Sequence, residues 1–187
     1  MNTTTVVLLV LAAFILGGLL AFFAYRSYRE KRTRHIRSHF GPEYSRLAAE
    51  RGEAAAEKEL AERERRAAKF DIRPLPAEDR HRFESRWQDV QKQFVDDPQG
   101  SLARADDLLG EVMAARGYPV KDFDQRAADL SVDHPIVVQH YHAAHGIALR
   151  HKSGQTTTED LRQAMIHYRA LFEELVSEAP SHARAAE

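Results

Sequence analysis

The stretch VVLLVLAAFILGGLLAFFAY, from Val6 to Tyr25, runs for twenty residues without a charged side chain. At about 1.5 Å of rise per residue, a helix of that length crosses the roughly 30 Å hydrocarbon core of a bilayer. Residues 1–25 are therefore expected to form a short tail and a transmembrane helix, with lipid as the partner of residues 6–25. The positive charges lie only on the far side of this run, as Arg26, Arg29, Lys31, Arg32, Arg34 and Arg37. A cleaved export signal has its basic residues first and a shorter apolar core. Basic residues after a span are retained in the cytoplasm, so the expected topology is N-terminus outside and the bulk of the chain inside. The same six residues are the candidate membrane-surface site, meeting anionic headgroups at about 1 kcal/mol each. The rival reading, an export signal with the domain outside, stays open.

Outward from the span the charge separates into unlike regions. Residues 26–40 hold six Lys or Arg against Glu30 alone, and read as a basic extension of the span. Gly41-Pro42 supplies a helix breaker and then a residue suited to a new first turn, which predicts a hinge. Residues 41–73 carry eight charges of each sign in a background of Ala and Leu, all strong helix formers. Tyr44, Leu47, Leu60 and Phe70 are too sparse for a heptad seam, so a solvated helical arm is expected there, with partner docking and coiled-coil pairing as alternatives. Arg73-Pro74-Leu75-Pro76 ends it.

Residues 74–178 are expected to form a helical bundle, and 179–187 a flexible tail. Phe83, Trp87, Val90 and Phe94 recur at helical spacing after Pro76. Asp97-Pro98 reads as a cap and first turn, followed by the stripe Leu102, Ala105, Leu108, Leu109, Val112 and Met113. Arg116-Gly117-Tyr118-Pro119 is its stop. A short helix is expected over 120–130. Val138, Tyr141, His145 and Ala148 mark the next helix, and Leu161, Met165, Tyr168, Phe172 and Leu175 the last, capped by Thr157 or Thr158. The fold class is thus all-α: a transmembrane helix, a charged helical arm, then a small antiparallel bundle of four main helices and a short one.

Composition excludes several chemistries. The chain has no cysteine, so disulfides and thiolate sites are absent. The region from Pro74 onward has thirteen basic and nineteen acidic residues, which argues against nucleic acid as a partner. Ten histidines invite a metal, yet in the densest patch, His134, His140, His142, His145 and His151, only His142 and His145 have the spacing to converge, and no glutamate of an H-E-x-x-H motif accompanies them. His145, Tyr141 and Tyr168 fit core positions, the tyrosines needing a partner for each hydroxyl. The pairs Asp96-Asp97 and Asp106-Asp107 point about 100° apart on a helix, so capping accounts for Asp97 and solvation for Asp106 and Asp107. No phosphate loop or nucleophile elbow is present, and neither a catalytic residue, a metal ligand nor a cofactor is expected.

RSHFGPEYSR (37–46), WQDVQKQFVDDP (87–98), ADDLLGEVMAARGYP (105–119), SVDHPIVVQHYHAAHGIA (131–148) and TEDLRQAMIHYRALFEEL (158–175) together resemble an uncharacterised family of bacterial proteins, many with an N-terminal spanning helix. The resemblance covers residues 37–176. It implies a bacterial membrane protein and assigns no catalytic residue; the family commonly has arginine where this chain has His142. The functional expectation is a non-enzymatic scaffold or adaptor that presents an acidic helical domain to an unidentified protein partner at the cytoplasmic face. The alternatives are a ligand- or metal-binding sensor with a pocket near His145, Tyr141 and Tyr168, and self-association through the arm.

Overall fold

A computed structural model describes residues 3–119, 121–154 and 156–177, without the side chains of 3–15 and 152. The expected tail at 179–187 lies outside the described residues. Among them the chain is all-helical: α1 (Thr3–Phe40), α2 (Pro42–Arg51), α3 (Glu53–Ala67), α4 (Ala77–Gln93), α5 (Pro98–Arg116), α6 (Phe123–Asp133), α7 (Val138–Lys152) and α8 (Thr158–Ser177). Two compact units divide at Phe40.

The first unit is α1, one helix through the apolar run and the basic strip. Among the described residues no helix is long and apolar enough to cross a membrane. The first ten residues of the expected span, 6–15, carry no described side chains. Its second half presents Leu16, Leu19, Leu20, Phe22, Phe23 and Tyr25 to the surroundings, each about half exposed or more.

The second unit is a helical bundle with a helical hairpin docked on it. α4 packs on α5 and α8, and α8 packs on both α5 and α7. The core follows the stripes: Phe83, Trp87 and Val90 from α4 meet Leu108, Leu109, Val112 and Met113 from α5, with Leu171, Phe172 and Leu175 from α8. Trp87 stacks flat on Phe172 with ring centroids 4.7 Å apart. The punctuation works as chemistry requires. Asp97 accepts from the Gly100 amide at 2.8 Å, and Asp160 and Thr157 cap α8 reciprocally through side chain and amide. Gly117 takes a left-handed φ of 96° beyond α5, where Tyr118 N donates to Met113 O at 3.0 Å. α6 starts three residues later than expected because Asp122 caps it, accepting from Gln125 N at 2.9 Å.

The expected solvated arm is corrected. Gly41, at φ 46°, does break the helix, but α2 and α3 fold against each other and dock on α6 and α7. Tyr44, Leu47, Ala56, Leu60, Ala61 and Ala67 are buried. Alanine supplies half of those six positions and Glu43 and Arg63 are buried among them, which is why no heptad seam is visible in the sequence. The strap from Phe70 to Leu75 then crosses the end of α5, where Arg73 N donates to Arg116 O at 2.9 Å. A Cβ on Gly117 would stand 2.2 Å from Asp71 O, so the strap needs glycine there twice over, for φ and for space.

Candidate functional site

The six basic residues of the sequence reading, Arg26, Arg29, Lys31, Arg32, Arg34 and Arg37, are all exposed on α1. Arg26 pairs with Glu30 at 3.0 Å, and Arg34 Nε donates to the Glu30 carbonyl at 3.3 Å. They form one basic helix surface, directly continuous with the exposed aromatic residues before it.

In the second unit, side-chain chemistry gathers at two places. The first joins the hairpin to the bundle. The Glu43 carboxylate, 1% exposed, accepts from Arg46 Nη2 at 2.7 Å and from Arg63 Nη1 at 2.8 Å. Arg63, itself buried, also donates to Ser131 Oγ at 3.1 Å on α6, while Arg66 Nε reaches Asp129 Oδ1 at 2.9 Å. Burial alone would raise the Glu43 carboxyl; the hydrogen bonds and charges of Arg46 and Arg63 outweigh it and hold the group below its usual range. His142 Nε2 lies 3.8 Å from Glu43 Oε2, and burial, then the Arg46 charge, lowers that imidazole. An open cleft of about 630 Å³ lies over this network. Its arginines Arg46, Arg51, Arg63 and Arg66 are each paired to a carboxylate, so it works as an ionic seam.

The second place is centred on Asp106 of α5. Its Oδ2 accepts from Arg126 Nη2 at 2.8 Å and its Oδ1 from the Tyr141 hydroxyl at 3.1 Å. The Tyr168 ring lies tilted against that of Tyr141, with centroids 6.3 Å apart. Both tyrosines are buried, and burial first, then the Asp106 charge, pushes both phenols far up, so they stay protonated donors. The Arg126 guanidinium lies 5.6 Å from the Tyr141 ring centroid. Phe123 stacks on His145 at 3.6 Å between centroids and meets His142 edge-on at 5.6 Å. Tyr141 and Tyr168 thus pack together, and Phe123 links Tyr141 to His145. Asp106, read as solvated, is the acceptor for the Tyr141 hydroxyl. Its position four residues after Leu102 and three before Leu109, inside an apolar stripe, was the signal for it.

Beside this network a slot of about 240 Å³ opens between α5 and α7, with Tyr168 among its lining residues. Elsewhere on α7, His140 Nδ1 lies 2.9 Å from His167 Nδ1, and burial, then the charge of His140, lowers His167. The ring centroids are 5.2 Å apart. That is the nitrogen separation plus roughly the two ring radii, so the nitrogens face head-on and share a proton instead of converging on an ion. Among the described residues no three His, Asp or Glu side chains are grouped to hold a metal. Compared with known protein families, with curated proteins and with solved structures, the chain finds no match.

Proposed function

We propose that this is a single-pass membrane protein, anchored by Val6 to Tyr25 with its N-terminus outside, that holds the helical unit at the cytoplasmic face as a non-enzymatic scaffold or adaptor for another protein. The observation that carries the proposal is α1: large apolar side chains stand exposed around the helix up to Tyr25, and six exposed basic residues follow with none before. Exposure of that kind costs free energy in water and none in lipid. Headgroup contacts with Arg26, Arg29, Lys31, Arg32, Arg34 and Arg37 fix the depth of the anchor. The resemblance to bacterial proteins with a spanning helix agrees with this placement.

Fusions of alkaline phosphatase and of a fluorescent reporter to the C-terminus test it. Fluorescence without phosphatase activity is expected, and the opposite pattern overturns the topology. Crosslinking in intact membranes followed by mass spectrometry tests the adaptor role, and recovery of no protein neighbour overturns it. A second reading, a ligand sensor, is favoured by one observation: the slot beside Asp106 and Tyr168, set among the residues Tyr141, Tyr168 and His145 that the sequence singled out.

A further inference from the structure

Asp106 reaches Tyr141 near the start of α7, whereas Gln99 and Leu102 of α5 share the slot with Leu149 and His151 near the end of α7. The two helices therefore run antiparallel on either side of it. Ala103 from α5 and Ala148 from α7 also line it. These small side chains leave space that leucine at either position would fill. The middle of the slot is apolar, between Leu102 and Leu149, and Leu149 is 50% exposed at its rim. From Gln99 to Asp107 the α5 wall is about 12 Å long.

The charge along that wall is one-sided. Asp106 and Asp107 line one end, and among the described residues no lysine or arginine lines the slot. Arg126 neutralises Asp106 at 2.8 Å but is not itself a lining residue. Asp107 is exposed and adds a second carboxylate beside the neutralised one. A carboxylate or phosphate ligand would meet net negative charge there, while a cation with an apolar body meets complementary charge and an apolar wall together.

We propose that the slot between α5 and α7 binds a small primary ammonium compound with a flat apolar body, its nitrogen at Asp107 and its body between Leu102 and Leu149 against Tyr168. This rests on the sensor reading and names the ligand class for it. A volume of about 240 Å³ is roughly eight water volumes, which suits a compound of about eight to ten heavy atoms.

The test uses the full chain in lipid nanodiscs with selectively labelled methyl groups, titrated with 2-phenylethylammonium, benzylammonium, benzyl alcohol and benzoate. Saturable shifts at the methyls of Leu102, Ala103, Ala148 and Leu149 are expected with both amines. Asp107→Asn is expected to weaken them about tenfold or more, as loss of a charge-assisted hydrogen bond does. Ala103→Leu, at an exposed position on α5, is expected to abolish them by filling the slot. Benzyl alcohol or benzoate binding as tightly as the amines overturns the cation class and leaves the ligand site standing. Absence of saturable shifts with every probe overturns both. Amine binding that Asp107→Asn leaves unchanged overturns the assigned orientation and with it the proposal.

Discussion

The bundle and the docked hairpin are held by different physics. Between α4, α5 and α8 the contacts are apolar, with Leu108, Leu109, Val112, Leu171 and Leu175 at or near zero exposure and Trp87 flat on Phe172. Between α2, α3 and α6 the specific contacts are ionic, with Glu43, Arg63 and Ser131 in one hydrogen-bonded set and Arg66 with Asp129 in a second, packed among alanines, Tyr44, Leu47 and Leu60. Apolar burial is non-directional and adds up with area. A buried ion pair gives little net stability but is costly to break on one side, so it fixes where the hairpin sits more than how tightly.

The largest effect that would sharpen this contrast is Phe172→Ala. Loss of the ring under Trp87 should cost about 3 to 5 kcal/mol, as large-to-small aromatic changes in cores do. Urea unfolding followed by fluorescence of Trp87, the single tryptophan, measures it. Glu43→Ala is expected to cost less, about 2 to 3 kcal/mol, since Arg63 keeps Glu59 and Ser131 as partners. A cost under about 1 kcal/mol would break the comparison by showing that the alanines and Leu60 dock the hairpin unaided.

The third effect is the response to acid. His142 and His167 both sit below the ordinary imidazole value of 6.5 in the folded chain. The unfolded chain thus binds more protons, and stability present above that pH declines as pH falls through it. Glu43 is held below 4.5, so its contribution is present above that pH and is lost as pH falls further. Unfolding midpoints measured from pH 8 to 3 should therefore fall in two stages, and Glu43→Gln should flatten the lower one while deepening the upper one, because loss of the Glu43 charge lowers His142 further. Smallest of all is Arg86→Gln. Its partner Glu111 and it are both about half exposed, so under about 1 kcal/mol is expected, vanishing in high salt.

The same contrast explains what the sequence could disclose. Stripes such as Phe83, Trp87, Val90 and Leu161, Met165, Tyr168, Phe172 are periodic because one face of each helix is buried, and α4, α5, α7 and α8 stand where those stripes predict. Asp97-Pro98 and Arg116-Gly117 were readable because capping chemistry is local. The hairpin was hidden because its large apolar residues Tyr44, Leu47 and Leu60 are few among alanine and charge, and a buried Glu43 reads like a solvated one until Arg63, twenty residues on, is placed beside it. Asp106 was misjudged for the same reason, since Arg126 and Tyr141 reach it from two other helices. Tyr141 and Tyr168 could be recognised as rings needing a partner, but the identity of that partner is a tertiary fact.

Gly117 binds these two kinds of region into one event. With Asp71 O where its side chain would be, the strap from the hairpin lies flush on the closed end of α5, and Arg73 is hydrogen-bonded into that cap. The hairpin therefore cannot swing away from the bundle without lifting the strap off α5, and the close seat of that strap depends on one missing methyl group.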